Sequence, residues 1–374
     1  MNKNLKNLHF SGIAEVVEKA SKVKDSIHLE TGDIDKDPPI EAVKYLKEGY
    51  LQHQCHYPPL LGNEDLREAL FEFERIDKTK EDVIITSGGS MGIWLSLNSI
   101  LNPGDNVVLF GPFWPHFNEM IKMNHANPVV VDLEKESFRL NKNELFAINK
   151  EIKAILLCCP NNPTGTIFTK EELKHIIEFA RRNDAWIIYD AEYEVFCYDS
   201  SFENIVYENY EKIITSKSIS KTFAAAGLRL GYLFGNKEII QEIKKLTLFT
   251  IMYPNSLMQY YLYKLIKEKS DFPNMLKEVM ERRVNNCLDI LRTCKNISVK
   301  KPDGGLYLWI NCKHFNPNDK VVADDILNKM KIALVPGSCF GLSGNGYLRV
   351  SLGCEDQMLL ESMRKLKKYF DGEW

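Results

Sequence analysis

The chain has 374 residues, 44% of them hydrophobic and 26% charged, with a formal net charge of -3. This is soluble globular composition, long enough for one large domain or two, with no electrostatic footprint for nucleic acid. No segment approaches a membrane span, and the opening M-N-K-N-L-K-N-L-H-F lacks the apolar core of a signal peptide.

Residues 11–24 place apolar side chains at helical spacing behind Ser11, which predicts a short amphipathic helix. Ile27 to Gly32 reads as a brief strand ending in a turn, closed by Pro38 and Pro39. Residues 1–40 thus form an arm with too little apolar mass to fold alone. In H-Y-P-P-L-L-G-N-E-D-L-R the two prolines hold Tyr57 on an extended, exposed segment, and Asn63 caps the helix that follows. Asp82 to Thr86 is a strand, followed by S-G-G-S-M-G and a helix. Strand, glycine-rich turn and helix together present free backbone N–H groups to an anion. The spacing is not G-x-G-x-x-G and no P-loop lysine follows, so neither a dinucleotide nor a Walker reading fits.

The alternation continues through strands at 106–110, 129–132, 154–158 and 185–189, with helices up to Met123 and over 170–182. P-N-N-P-T-G follows the strand at 154–158, and the strand A-W-I-I-Y runs into D-A-E-Y, from Asp190 to Tyr193. Strands separated by helices predict βαβ units and a mostly parallel sheet, which takes its ligands beyond the carboxyl ends of its strands. The Gly88–Gly89 turn, Asn162, Asp190 and Lys221 all fall there. From Lys237 the chain is helical, over 237–247, 255–268 and 274–293, with no Gly/Ser linker, so a domain change would run through a continuous helix. A strand at 306–311, a helix near 322–330, the strand in G-Y-L-R-V-S-L and a final helix at 356–370 predict a small α+β domain. The division expected is 1–40 for the arm and part of the small domain, 41–280 for the large domain and 281–374 for the small one.

Nine cysteines occur without C-x-x-C pairs, and Cys158 and Cys159 read as small residues of a buried strand. No metal site is expected, and a reduced, cytoplasmic setting is the natural inference.

The chemistry centres on T-S-K-S-I-S-K-T-F-A-A-A-G-L-R-L-G-Y, residues 215–232. Small residues let backbone approach a ligand, hydroxyls and Arg229 suit a phosphate, and Lys221 is a candidate for imine formation. Pyridoxal phosphate asks for such a lysine, an anion at its pyridine nitrogen, donors to its ring hydroxyl, a phosphate cup and a flat face. Lys221, Asp190, then Asn162 and Tyr193 fill the first three needs. Gly89, Ser90, Ser218 and Arg229 suit the cup, and Trp114 offers the stacking ring.

Over essentially its whole length the sequence resembles the class I/II aminotransferases of fold type I. S-I-S-K-T-F-A-A-A-G-L-R-L-G-Y is similar to the family's S-x-S-K-x-F-x-x-x-G-x-R-x-G-Y, N-N-P-T-G to its asparagine turn and D-A-E-Y to its D-x-x-Y. T-S-G-G-S and P-F-W resemble its phosphate loop and stacking segment. One departure is Ala224, where many members carry glycine. The resemblance implies a fold type I α/β architecture and ping-pong amino transfer between an L-amino acid and a 2-oxo acid. It also implies a homodimer with shared active sites, in which Tyr57 reaches the neighbouring subunit's cofactor phosphate. It further implies that Arg349 in Y-L-R-V-S-L grips the substrate α-carboxylate, with Asn162 and Gly32 on the substrate side. Lys221 would serve first as imine and then as the base at Cα. Ile13, Trp114, Met252 and Tyr253 are candidate specificity residues and lean towards neutral or aromatic side chains. A lyase or decarboxylase on the same scaffold is the alternative reaction. A ligand-sensing transcriptional regulator would need a helix-turn-helix module, and none is read here.

Overall fold

The computed structural model describes residue 8 and residues 10–198, 202, 204, 205 and 210–374. Most of the opening stretch read for a signal peptide lies outside the described residues. The first helix, Gly12–Ser21, is capped by the Ser11 side chain, and strand β1 spans only Ile27–His28. The strand expected to run to Gly32 therefore stops early: the backbone of Glu30 to Gly32 leaves the ladder and enters the main cavity.

Seven strands build the large sheet: β2 (Glu81–Thr86), β3 (Asn106–Gly111), β4 (Asn127–Asp132), β5 (Ala154–Cys158), β6 (Trp186–Asp190), β7 (Ile213–Ser218) and β8 (Gly231–Asn236). Their order is β2-β8-β7-β6-β5-β3-β4, and only β8 runs against its neighbours. The architecture is the expected α/β one, with helices packed on a mostly parallel, mixed sheet. A parallel sheet covered on both faces needs apolar residues on both sides of each strand, and A-I-L-L-C of β5 is buried throughout. The covering helices carry local start signals. Thr169 and Glu172 form a capping box at Lys170–Asn183, Asn63 caps Glu64–Phe73, and Asn236 caps Lys237–Leu248. With β8 the one reversed strand, β2, β5, β6 and β7 all end on the same edge.

The C-terminal part holds β9 (Ser298–Val299), β10 (Tyr307–Asn311), β11 (Ile332–Ala333), β12 (Val335–Pro336) and β13 (Tyr347–Ser351). Four of these form an antiparallel sheet in the order β12-β13-β10-β9, while β11 pairs in parallel with β1. The opening segment thus lies with the C-terminal residues. The helix Phe272–Leu291 runs unbroken through positions 280 and 281, with proline in its first turn.

Arg283 on that helix ties three distant segments together. Its Nη1 and Nη2 donate to Asp35 at 2.8 and 2.9 Å, its Nε to Asp356 at 2.5 Å, and Nη1 also to the Leu352 carbonyl at 2.9 Å. The guanidinium is buried, so its attractions are little screened, and every partner lies outside its own helix. Arg283→Met is expected to cost about 3 kcal/mol, the low end for a broken buried ion pair because Asp356 still reaches water. A shift of the denaturation midpoint measures it, and a loss below about 0.5 kcal/mol, the ordinary range for a surface change, would show that the contact contributes little.

Candidate active site

The carboxyl ends of β2, β5, β6 and β7 open into a cavity of about 320 Å³, the size of a small-molecule site. Its walls include Ile13, Gly32, Gly89, Ser90, Trp114, Asn162, Asp190, Tyr193, Lys221, Arg229 and Arg349. One cavity therefore gathers most of the residues singled out in the sequence. Tyr57, Met252 and Tyr253 do not line it: Tyr57 is 84% exposed, its ring packed on Tyr253 at 4.8 Å. Ser218 stands just behind the wall. Its hydroxyl caps the short turn Ile219–Thr222 by accepting from the Ser220 N–H, and donates to Glu192 Oε1 at 2.7 Å.

That turn follows β7 directly and presents Lys221 to the cavity. Two lysines four positions apart have opposite surroundings. Burial works against the charge on Lys217, but Glu194 and Glu74, each at 2.6 Å, outweigh it and hold the lysine above its ordinary pKa. Lys221 forms no ion pair among the described residues. Lys217 is committed to the fold, and Lys221 is left available for chemistry.

Asp190 ends β6 and accepts the Glu192 N–H at 3.2 Å. Burial, aided by the nearby Glu192 charge, pushes its carboxyl up to about 7. A carboxyl held there lacks a cation and is poised to receive one. Asn162 donates through Nδ2 to the Tyr193 hydroxyl at 3.2 Å, and the Tyr193 and Tyr307 hydroxyls are 3.1 Å apart. Arg349 on β13 donates from Nη1 to Asn162 Oδ1 at 3.0 Å and from Nη2 to the Glu30 carbonyl at 2.5 Å. Its guanidinium lies over the Tyr307 ring, 4.2 Å from the centroid, and only 2% of the residue is exposed. Arg349 Nε is buried without a hydrogen-bond partner, a donor with room for one more acceptor. The side chain is thus not the solvated one that an arginine on a strand usually is.

At the other end, Gly88 (φ +88°) precedes the helix Gly89–Ile100, whose N-terminus has no side-chain cap. A Cβ on Gly88 would sit 2.7 Å from Arg229 Nη2, so glycine serves here both for its positive φ and for the arginine's approach. Uncapped N–H groups, Ser90, Lys221 and Arg229 make a cationic cup. Ala224 takes φ +49°, the left-handed region that glycine enters more readily, so the departure noted in the sequence puts a Cβ where the backbone favours glycine.

Sequence reasoning passed over Glu30, Thr31, Cys158, Glu192, Ser220, His116 and Tyr307, which also line the cavity. Glu192 lay within D-A-E-Y and Tyr307 within L-Y-L-W-I-N, each read for its neighbours. Tyr307 explains Gly32, since a Cβ there would stand 2.1 Å from its hydroxyl oxygen.

Comparison with known proteins agrees. A family model described as aminotransferase class I and II matches residues 24–366. An aspartate aminotransferase of Pyrococcus horikoshii is 33% identical over 97% of this chain and 95% of its own length. Aromatic-amino-acid aminotransferase 2 of Thermococcus litoralis is 28% identical over 98% of this chain and 97% of its own. The solved structure of a Thermus thermophilus aspartate aminotransferase single mutant superposes with a TM-score of 0.92 at 25% identity, covering 98% of this chain and 99% of that one. With a family match over nearly the whole chain and a cavity of this make-up at the strand ends, the protein belongs to the class I and II aminotransferases and is an amino-group transferase.

Proposed function

We propose that this enzyme uses pyridoxal 5'-phosphate to move an amino group between an L-amino acid and a 2-oxo acid by a ping-pong mechanism. The observation that carries the reading is the joint presence, in one cavity, of Lys221, without an ion pair among the described residues, and the buried carboxyl of Asp190. The residues present fit the cofactor. The cup around Gly89, Ser90 and Arg229, backed by Ser218, suits its phosphate, and Trp114 supplies a flat face. Asp190 suits its ring nitrogen, and Asn162 and Tyr193 its ring oxygen.

Pyridoxal phosphate supplies an electron sink for negative charge at the substrate α-carbon. Lys221 anchors the group and then carries the proton to and from that carbon. Asp190 keeps the ring nitrogen charged once a cation faces it. Arg349 orients the substrate through its carboxylate, Nε being a donor left over after Asn162 and Glu30 are served, and Gly32 leaves that side open. Ile13 and Trp114 favour neutral or aromatic side chains. We further infer a homodimer in which Tyr57, exposed on the single chain, reaches the neighbour's cofactor phosphate, and domain boundaries at residues 40/41 and 280/281.

Two expectations follow from these assignments. Removing one partner of a desolvated guanidinium–carboxylate contact costs about 2–5 kcal/mol, so Arg349→Ala should lose about 30- to several-thousand-fold in kcat/KM for amino acids. Arg349→Lys should recover only part, because a point charge does not reproduce the fork. Half-reactions with an amino acid and with its decarboxylated amine make the test, and equal slowing of both would reduce Arg349 to a structural role. For the dimer, mixing inactive Tyr57→Ala chains with inactive Arg349→Ala chains should restore activity through hybrids. A stable, fully active monomer in sedimentation would defeat that arrangement.

A further inference from the structure

One group in the cup has a sign that the rest do not. Glu192 projects from the loop after β6 into the space between Gly89, Ser218, Lys221 and Arg229. Its Oε1 accepts from Ser218 Oγ at 2.7 Å, and its Oε2 is buried without a hydrogen-bond partner. That oxygen stands 3.0 Å from where a Cβ on Gly89 would lie, at the start of the helix Gly89–Ile100. The carboxylate therefore takes the Ser218 hydroxyl, sits against the uncapped helix end and lies in the field of Lys221 and Arg229. These are the groups that a phosphate would use.

We propose that Glu192 is an internal anion that competes with the cofactor's phosphate for the cup, so that loading requires its carboxylate to take up a proton. The inference rests on the functional reading above. The charged and titratable groups acting on Glu192 are Lys221 from the turn after β7, Arg229 from the segment before β8 and Asp190 at the end of β6. The Cys158 thiol of β5 and the Tyr232 hydroxyl of β8 also feel its charge. Burial raises the Glu192 pKa, while Lys221, the Ser218 hydroxyl and Arg229 pull it back. The two cations favour its charged form. An entering phosphate dianion takes over Arg229 and adds like charge beside Glu192, and both changes favour the protonated carboxyl. With its proton, Glu192 no longer repels the phosphate and has an O–H to donate to it.

The sign with pH follows. Above its pKa Glu192 must gain a proton for the phosphate to bind, so it weakens binding progressively as pH rises. Below its pKa it is already neutral and imposes nothing. Because the phosphate itself ionises in this range, the comparison of wild type with Glu192→Gln isolates the contribution of Glu192.

The experiment uses the full-length protein freed of cofactor, titrated with pyridoxal phosphate and separately with inorganic phosphate from pH 5.5 to 8.5. Glu192→Gln should bind both about tenfold more tightly at pH 8. Its advantage should shrink as the pH falls, and wild type should take up more protons on binding than the variant does. Glu192→Ala repeats the test should the amide disturb the fold, which thermal unfolding reports. An affinity equal to or below wild type in both variants overturns the proposal, as does an advantage that stays constant with pH. Wild-type protein that takes up no pyridoxal phosphate at any pH would instead defeat the functional reading. Normal loading of wild type without a gain in the variants would defeat this inference alone.

Discussion

The cavity exists because Arg349 of the small antiparallel sheet is hydrogen-bonded to Asn162 of the turn beyond β5, 3.0 Å apart. A guanidinium buried this far must find acceptors, and here they come from segments far away in sequence: Asn162 and the Glu30 carbonyl. Satisfying one arginine therefore draws the opening segment, the large sheet and the C-terminal sheet around one space. The Asn162–Tyr193–Tyr307 chain extends the tie back to β10, and Arg283 makes a second such junction away from the cavity. Both arginines join parts that short-range structure alone would leave apart.

Within that space three needs stand open. Arg349 has a spare donor, Arg229 stands by an uncapped helix end, and Asp190 has its carboxyl raised to about 7 by burial. A ligand assembly carrying a carboxylate, a phosphate and a cation would meet all three. Substrate and pyridoxal phosphate together have that pattern. Glu192 is the exception, a carboxyl group beside the cationic cup.

The alternation of strands and helices was plain in the sequence, because fully apolar runs such as A-I-L-L-C are what a sheet covered on both faces requires. Lys221, Asp190, Asn162 and Arg229 could be picked out because their types are costly to place near a buried strand end without a reason. Glu192 and Tyr307 were hidden for the converse reason: glutamate in a loop and tyrosine in a strand are ordinary, and only the packing turns them inward. Only the motif resemblance separates Lys221 from Lys217 in the sequence, since the physical difference lies in Glu194 and in Glu74, 143 residues away. Met252 and Tyr253 were chosen as pocket residues by type alone, and the chain carries them elsewhere, Tyr253 against Tyr57.

The most direct test of the account is where the cofactor attaches. Protein purified with pyridoxal phosphate is reduced with borohydride and digested, and the modified peptide is identified by mass. The account predicts one pyridoxyl group per chain, on the peptide that contains Lys221. A label on Lys217 or any other lysine, or no label at all on folded protein, would contradict it.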